Sequence, residues 1–162
     1  MSVVRVLQRR DFAAVDALLE AERDRFARAS EHLASAEERS LDAEADPTIH
    51  CLVAIEEEVA VGFIEWHAAD PGRAVLAAIV VSKHVRRVGL GRELVRRSLE
   101  ALEEARGELE ELELGVHTDN ERALSFFESL GFRSVRRARG VIDLVASIAD
   151  VRAALHRATY VR

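Results

Sequence analysis

The residues from Val75 to Arg97, VLAAIVVSKHVRRVGLGRELVRR, hold the densest chemistry in the chain. At their centre Arg86, Arg87 and Arg92 surround Val88, Gly89, Leu90 and Gly91. Seven apolar residues, Val75 to Val81, precede this centre and suit a strand buried on both faces. After it, Leu90, Leu94, Ala101, Leu102 and Ala105 fall on one helical stripe. The two glycines therefore stand at a strand-to-helix turn, where missing side chains let a ligand approach the backbone. The first N–H groups of a helix have no internal partner and carry the positive end of its dipole. Three arginines around such a helix start make an anion site.

The kind of anion is narrower than the turn alone implies. The lysine and hydroxyl of a P-loop do not follow the glycines, and Leu94 stands where a dinucleotide fingerprint needs a third glycine. A lone glycine pair reads as a plain strand-to-helix turn. Here the pattern is longer. Val81, four residues, Arg86, two residues, Gly89, one residue, Gly91 resembles the pyrophosphate-binding motif of the GNAT superfamily of N-acetyltransferases, which bind acetyl-coenzyme A. Downstream, Asn120, Ala123, Phe126, Phe127, Gly131 and Phe132 stand as N-x-x-A-x-x-F-F-x-x-x-G-F, which resembles the family's second helix and following strand. The resemblance spans about Val3 to Arg137, and its specific motifs run from Val81 to Phe132.

The resemblance implies an α+β domain, α/β-like in places, occupying residues 1–162. Its centre would be a mixed, mostly antiparallel sheet with helices on both faces and two strands splayed to hold the cofactor. It also implies a set of cofactor contacts. Ile79, Val80 and Val81 would pair with the pantetheine arm as an extra strand does. Arg86, Arg87, Val88, Gly89, Leu90, Gly91 and Arg92 would hold the pyrophosphate, while Asn120 and Phe127 would face the arm. The implied reaction is direct attack of a primary amine, on a small molecule or a peptide, on the acetyl-CoA thioester. The amine must shed a proton first, and Glu65 and His67 are the candidate bases because they sit on the strand beside the phosphate-turn strand. Read without the family, both are polar residues on a half-exposed strand face; His84 and His117 lie farther out, near strand ends. One departure is plain: Phe127 stands where many family members have a tyrosine, and phenylalanine donates no proton. Tyr160 is the only tyrosine in the chain. The competing function is an acyl-CoA-binding regulatory module without transferase activity.

Composition bounds these readings. With 49% hydrophobic and 32% charged residues the chain reads as a soluble globular domain. A formal net charge of −6 disfavours a nucleic-acid partner. No apolar run reaches the ~18 residues of a membrane span, and the N-terminal MSVVRVLQRRDF lacks a signal-peptide core. Cys51 is the only cysteine, which fits a reducing, cytoplasmic setting and a small core residue. The acidic run Glu103 to Glu113 lacks interleaved histidines and calcium-loop spacing, so no metal is expected. A homodimer is left open.

The remaining elements follow from periodicity. Val3 to Leu7 is a strand. Asp11 can cap a helix with Phe12, Val15, Leu18, Leu19 and Phe26 inward; Glu22 falls on that stripe and reads as part of a solvated face. Ala29, Leu33 and Ala36 continue a weaker helical stripe, and Asp42 to Pro47 reads as a loop. Ile49 to Ile55 and Val59 to Ala68 form a hairpin about Glu56-Glu57-Glu58. In its second strand Val61, Phe63, Glu65 and His67 share one face, and Ala60, Gly62, Ile64 and Trp66 the other. A helix from about Gly89 stops at Gly107. Leu112 to Val116 is a strand, Thr118 and Glu121 fit a capping box, and a helix starts near Asn120. Phe132 to Arg137 and Val141 to Ala146 are strands, and Ala149 to Ala158 a helix.

Overall fold

Where apolar residues alternate, strands form; where they recur every three or four residues, helices do. The computed structural model describes residues 2–22, 45–85 and 89–160. Its strands are β1 (Val3–Val6), β2 (Ile49–Glu56), β3 (Val59–His67), β4 (Arg73–Val81), β5 (Glu111–His117), β6 (Arg133–Ala138) and β7 (Val141–Ser147). Among the described residues the helices are α1 (Phe12–Ala21), α2 (Leu90–Arg106), α3 (Glu121–Ser129) and α4 (Ile148–Tyr160). The strands form one sheet in the order β1-β2-β3-β4-β5-β7-β6. Every neighbouring pair is antiparallel except β4 and β5. The expected mixed, mostly antiparallel sheet is therefore present. No helix among the described residues is long and apolar enough to cross a membrane.

The two faces of the sheet are covered unequally. One core packs α2, α3 and α4 on the sheet through residues such as Leu94, Leu102, Phe127, Val151, Ile64, Trp66, Leu114 and Leu144. The other packs Val15, Leu18 and Leu19 of α1 on Cys51, Val53, Phe63 and Val80. Cys51 is buried, as a small core residue should be. The entry to α1 is fixed differently from expectation. Asp11 makes no side-chain cap for α1. Its carboxylate instead takes two bonds from Arg5, at 2.5 and 2.6 Å, and one from the Gln8 N–H at 2.9 Å. Burial pushes the Asp11 carboxyl upward, but these donors outweigh it and hold it below the ordinary carboxylate range.

Two bulges change the faces that simple alternation predicts. Val61 is an extra residue between the pairs Ala54–Gly62 and Ile55–Ala60. It therefore joins the α2-side core, while Ala60 joins Phe63 on the α1 side. From Gly62 to His67 the predicted alternation holds. Ala77 is the extra residue between Glu65–Ala78 and Trp66–Leu76. The expectation that β4 is buried on both faces fails near this bulge. Val75 is 43% exposed, and Ala77 is exposed too. Val75 lies on the α1 side, and that helix packs mainly on β3 rather than on this half of β4.

The start of the last helix and the ion pairs on α2 match the sequence reading. Glu93 binds Arg97 at 3.0 Å and Glu100 binds Arg96 at 2.9 Å. The stripe Ala29, Leu33 and Ala36, and Phe26 with it, lies outside the described residues.

Helix α2 is tied to the sheet by a buried polar contact as well as by its leucines. The Trp66 indole N–H donates to Ser98 Oγ at 2.8 Å, and the Ser98 hydroxyl donates to the Val95 carbonyl at 3.0 Å. Both residues are buried. Ser98→Ala should therefore strand the indole N–H and lower stability by about 1–3 kcal/mol. Urea unfolding of the two proteins measures it; equal midpoints would mean that the contact is replaced without loss.

Candidate active site

The site begins where two parallel strands separate. β4 and β5 pair only from Arg73–Glu111 to Leu76–Leu114. β4 then runs on to Val81 paired with β3, and β5 runs on to His117 paired with β7. The Ala77 bulge falls at the point of separation, and a bulge bends and twists its strand. A cavity of about 440 Å³ lies beyond it, with Ile79, Val80 and Val81 as one wall.

The start of α2 lines the same cavity. Gly89 takes the left-handed conformation with φ +79°, which L residues seldom adopt. Its carbonyl accepts the Glu93 N–H at 3.1 Å, so the N–H groups of Leu90, Gly91 and Arg92 precede the helix's own bonding. Among the described residues nothing stands within 4 Å of the place a Gly89 Cβ would occupy. Gly91 serves another purpose. A Cβ there would lie 3.2 Å from the Phe126 ring, so this glycine admits α3 against α2.

Polar side chains border the same cavity. Asn120 Oδ1 accepts the Ala123 N–H at 3.1 Å, making Asn120 rather than Thr118 the cap of α3. Arg92 Nη2 donates to Ser129 Oγ at 3.0 Å, and its Nη1 is buried with no partner among the described residues. Arg122 lines the cavity from α3. Phe127 also lines it, buried and edge-on to Phe126 and Phe132.

Glu65 and His67 lie one strand away and do not form part of that lining. They do meet each other. His67 Nε2 is 2.9 Å from Glu65 Oε2, with the carboxylate buried and the imidazole 43% exposed. The Cys51 thiol donates to Glu65 Oε1 at 3.7 Å. Glu65 is paired across the sheet with Ala78, and His67 with Val75, so the two bracket the bulge. His84 is exposed, and His117 Nδ1 accepts the Asp119 N–H at 3.3 Å.

Of the residues singled out in the sequence, the cavity gathers Ile79, Val80, Val81, Gly89, Leu90, Gly91, Arg92, Asn120 and Phe127. Arg86, Arg87 and Val88 lie outside the described residues, as does the Tyr160 side chain. The sequence reading missed Val85, Arg122 and, above all, Glu22. Glu22 is no solvated charge: it is 5% exposed, lines the cavity, and accepts the Lys83 N–H at 3.1 Å. The signal was there, since Val15, Leu18, Leu19 and Glu22 share one stripe and its first three members are core.

A family model, the acetyltransferase (GNAT) family, matches residues 15–132. The chain belongs to the GNAT family. None of the curated protein sequences matches it. Solved structures share its fold. The PaiA N-acetyltransferase from Thermoplasma acidophilum, in complex with coenzyme A, is 18% identical with a TM-score of 0.75 over 91% of this chain and 99% of that one. The ribosomal-protein-S18-alanine N-acetyltransferase from Escherichia coli is 22% identical, with a TM-score of 0.68 over 91% and 94%. An acetyltransferase from Thermus thermophilus is 20% identical, with a TM-score of 0.73 over 91% and 97%. At these identities the likeness is one of fold.

The contact at Gly91 makes a stability prediction. Gly91→Ala should cost about 1–3 kcal/mol by overpacking against Phe126. Most of that loss should vanish in a Phe126→Leu background, where the ring is gone. Chemical denaturation of the four proteins in the cycle tests it, and strictly additive changes would remove the contact from the account.

Proposed function

We propose that the chain transfers an acetyl group from acetyl-CoA to a primary amine by direct attack on the thioester. The observation that carries this reading is the separation of β4 from β5 beside an open helix start, in a chain of the GNAT family. A strand edge and a helix N-terminus, joined by one cavity, suit a ligand with an amide-bearing arm at one end and phosphates at the other. The coenzyme A complex of a structural neighbour supports the same ligand.

Acetyl-CoA supplies an acetyl group already activated as a thioester. The protein's residues do the rest. Ile79 to Val81 offer the arm a strand to pair with. The N–H groups from Leu90 to Arg92, with the Arg92 and Arg122 guanidiniums, receive the pyrophosphate. Asn120 keeps its NH₂ for the arm, since only its oxygen caps α3.

The base in this reading is the Glu65–His67 pair. If Nε2–H is given to Glu65, the Nδ1 lone pair of His67 can take a proton from the amine, directly or through water. The amine nitrogen then forms a bond to the acetyl carbon, and the carbon–sulfur bond breaks. The second amine proton passes to solvent water as coenzyme A leaves as its thiolate. A thiol has a reference pKa near ~8.5, so thiolate leaves tolerably without an acid, which suits Phe127 at the tyrosine position. Phe127 also favours a second reading, a module that binds acyl-CoA without turning it over. Release of free thiol from acetyl-CoA in the presence of amines separates the two; binding with no release above background would favour the module.

Two sets of variants test the assignment of parts. Gly89→Val places a β-branched residue at φ +79° and a side chain in the empty space above the helix start. Acetyl-CoA affinity should fall at least ~10-fold, as calorimetric titration would register, with the fold retained; unchanged affinity in a folded variant would remove the turn from the site. His67→Gln and Glu65→Gln should lower turnover by about 10²–10⁴ and about tenfold or more respectively near neutral pH, with acetyl-CoA affinity kept. A lysine-type amine, with a reference pKa of ~10.4, is almost wholly protonated there. The deficit should therefore shrink as pH rises toward that value and the amine deprotonates unaided. Wild-type rates for both variants at pH 7 would eliminate the pair as base.

A further inference from the structure

Glu22 occupies a position that asks for leucine. Val15, Leu18 and Leu19 of the same stripe are 0%, 5% and 4% exposed, and Glu22 is 5% exposed. A carboxylate is disfavoured there on two counts. Burial removes it from water, and it sits at the C-terminal end of α1, where the helix dipole is negative. A carboxyl group kept against both effects calls for compensating contacts.

One such contact is 61 residues away in the chain. Glu22 Oε1 accepts the N–H of Lys83, the second residue after β4. The neighbouring groups of this joint are held by backbone. The Ser82 N–H reaches the Val61 carbonyl at 2.8 Å, and the Val85 N–H reaches the Ser82 carbonyl at 3.1 Å. Glu22 therefore fastens α1, on one face of the sheet, to the residues that follow β4, which the Ser82 and Val85 backbone bonds hold in place. It lines that cavity together with Ile79, Val80 and Val81 on one side of the joint and Gly89, Leu90 and Gly91 on the other.

We propose that Glu22 is a positioning residue for the acyl donor. Its hydrogen bond to Lys83 sets the spacing between the strand edge that takes the arm and the helix start that takes the pyrophosphate. Both belong to one covalent ligand, so an error at the joint is felt at both ends. The inference rests on the acetyl-CoA reading given above. What the joint requires is an acceptor oxygen, which an amide also provides.

The experiment compares Glu22→Gln, Glu22→Leu and Glu22→Ala with the wild type by thermal unfolding, calorimetric titration with acetyl-CoA and steady-state kinetics. Glu22→Gln should bind acetyl-CoA within about threefold of the wild type. Glu22→Leu completes the apolar stripe, so its Tm should be equal or higher. Its acetyl-CoA Kd should nevertheless rise at least ~10-fold, with KM for acetyl-CoA rising and kcat changing less. A merely structural glutamate would not give stability and affinity changes of opposite sense. Wild-type affinity in folded Glu22→Leu would overturn the proposal. Should Glu22→Leu fail to fold, the comparison passes to Glu22→Gln and Glu22→Ala: equal losses in both would overturn it, and a loss confined to Glu22→Ala would support it. Failure of the wild-type chain to bind acetyl-CoA would overturn the transferase reading itself, and this inference with it.

Discussion

A parallel pair of strands that stops pairing halfway is the constraint on which the rest of this structure depends. Backbone N–H and C=O groups must find partners, and a buried one left without costs about 1–3 kcal/mol. β4 and β5 pair for four residues and then diverge, each continuing on its outer neighbour. The sheet therefore keeps its integrity on both sides of the gap while the facing edges open into a cavity. Hydrophobic packing could not hold such a gap by itself, because apolar contact is non-directional and would draw the strands together. The Ala77 bulge, which bends β4 as the pairing ends, supplies the direction.

The unequal covering of the sheet follows from the same gap. On one face α2, α3 and α4 cover the sheet: α2 rises from the turn after β4, α3 follows β5, and Gly91 against Phe126 lets α2 and α3 approach. These helices close the floor of the cavity with Leu90, Ala123 and Phe127. On the other face α1 covers β2, β3 and the upper part of β4, and Val75 and Ala77 lie open. The Glu65–His67 pair stands on that open face, beside the bulge.

Most of this was legible in residue order, and the exceptions share a cause. Strands and helices came from periodicity, the helix start beside the cavity from two glycines after an apolar strand, and the last strand and helix from patterns without family support. What was misread required knowing register. One bulged residue exchanges the faces of its neighbours, so Val61 and Ala60 changed sides while Glu65 and His67 kept theirs. Thr118 and Glu121 form a plausible capping box, yet the chain bends two residues later and Asn120 takes the role. Glu22 reads in the sequence as part of a solvated face, since a single charge on a helix usually is. Only the fold brings Lys83 to it, and no local pattern encodes a partner 61 residues away.

The polar side chains about the cavity have a common economy that bears on how such a site is kept ready. Asn120 gives its oxygen to the Ala123 N–H and retains its NH₂. Arg92 gives Nη2 to Ser129 and retains a buried Nη1 without a partner among the described residues. One strand away from the cavity, His67 turns Nε2 to Glu65, which leaves Nδ1 as its other ring nitrogen. Each is anchored by one polar atom and presents another. Anchoring removes rotamer freedom before a ligand arrives, so binding need not supply it, and geometry held in advance is what positions reacting groups. At Arg92 one guanidinium nitrogen is anchored to Ser129 and the other has no partner among the described residues. A site built this way is less stable than the same fold with its polar atoms replaced by well-packed apolar ones. It gains that energy back when an anionic ligand fills the cavity, which couples folding stability to binding at this one place.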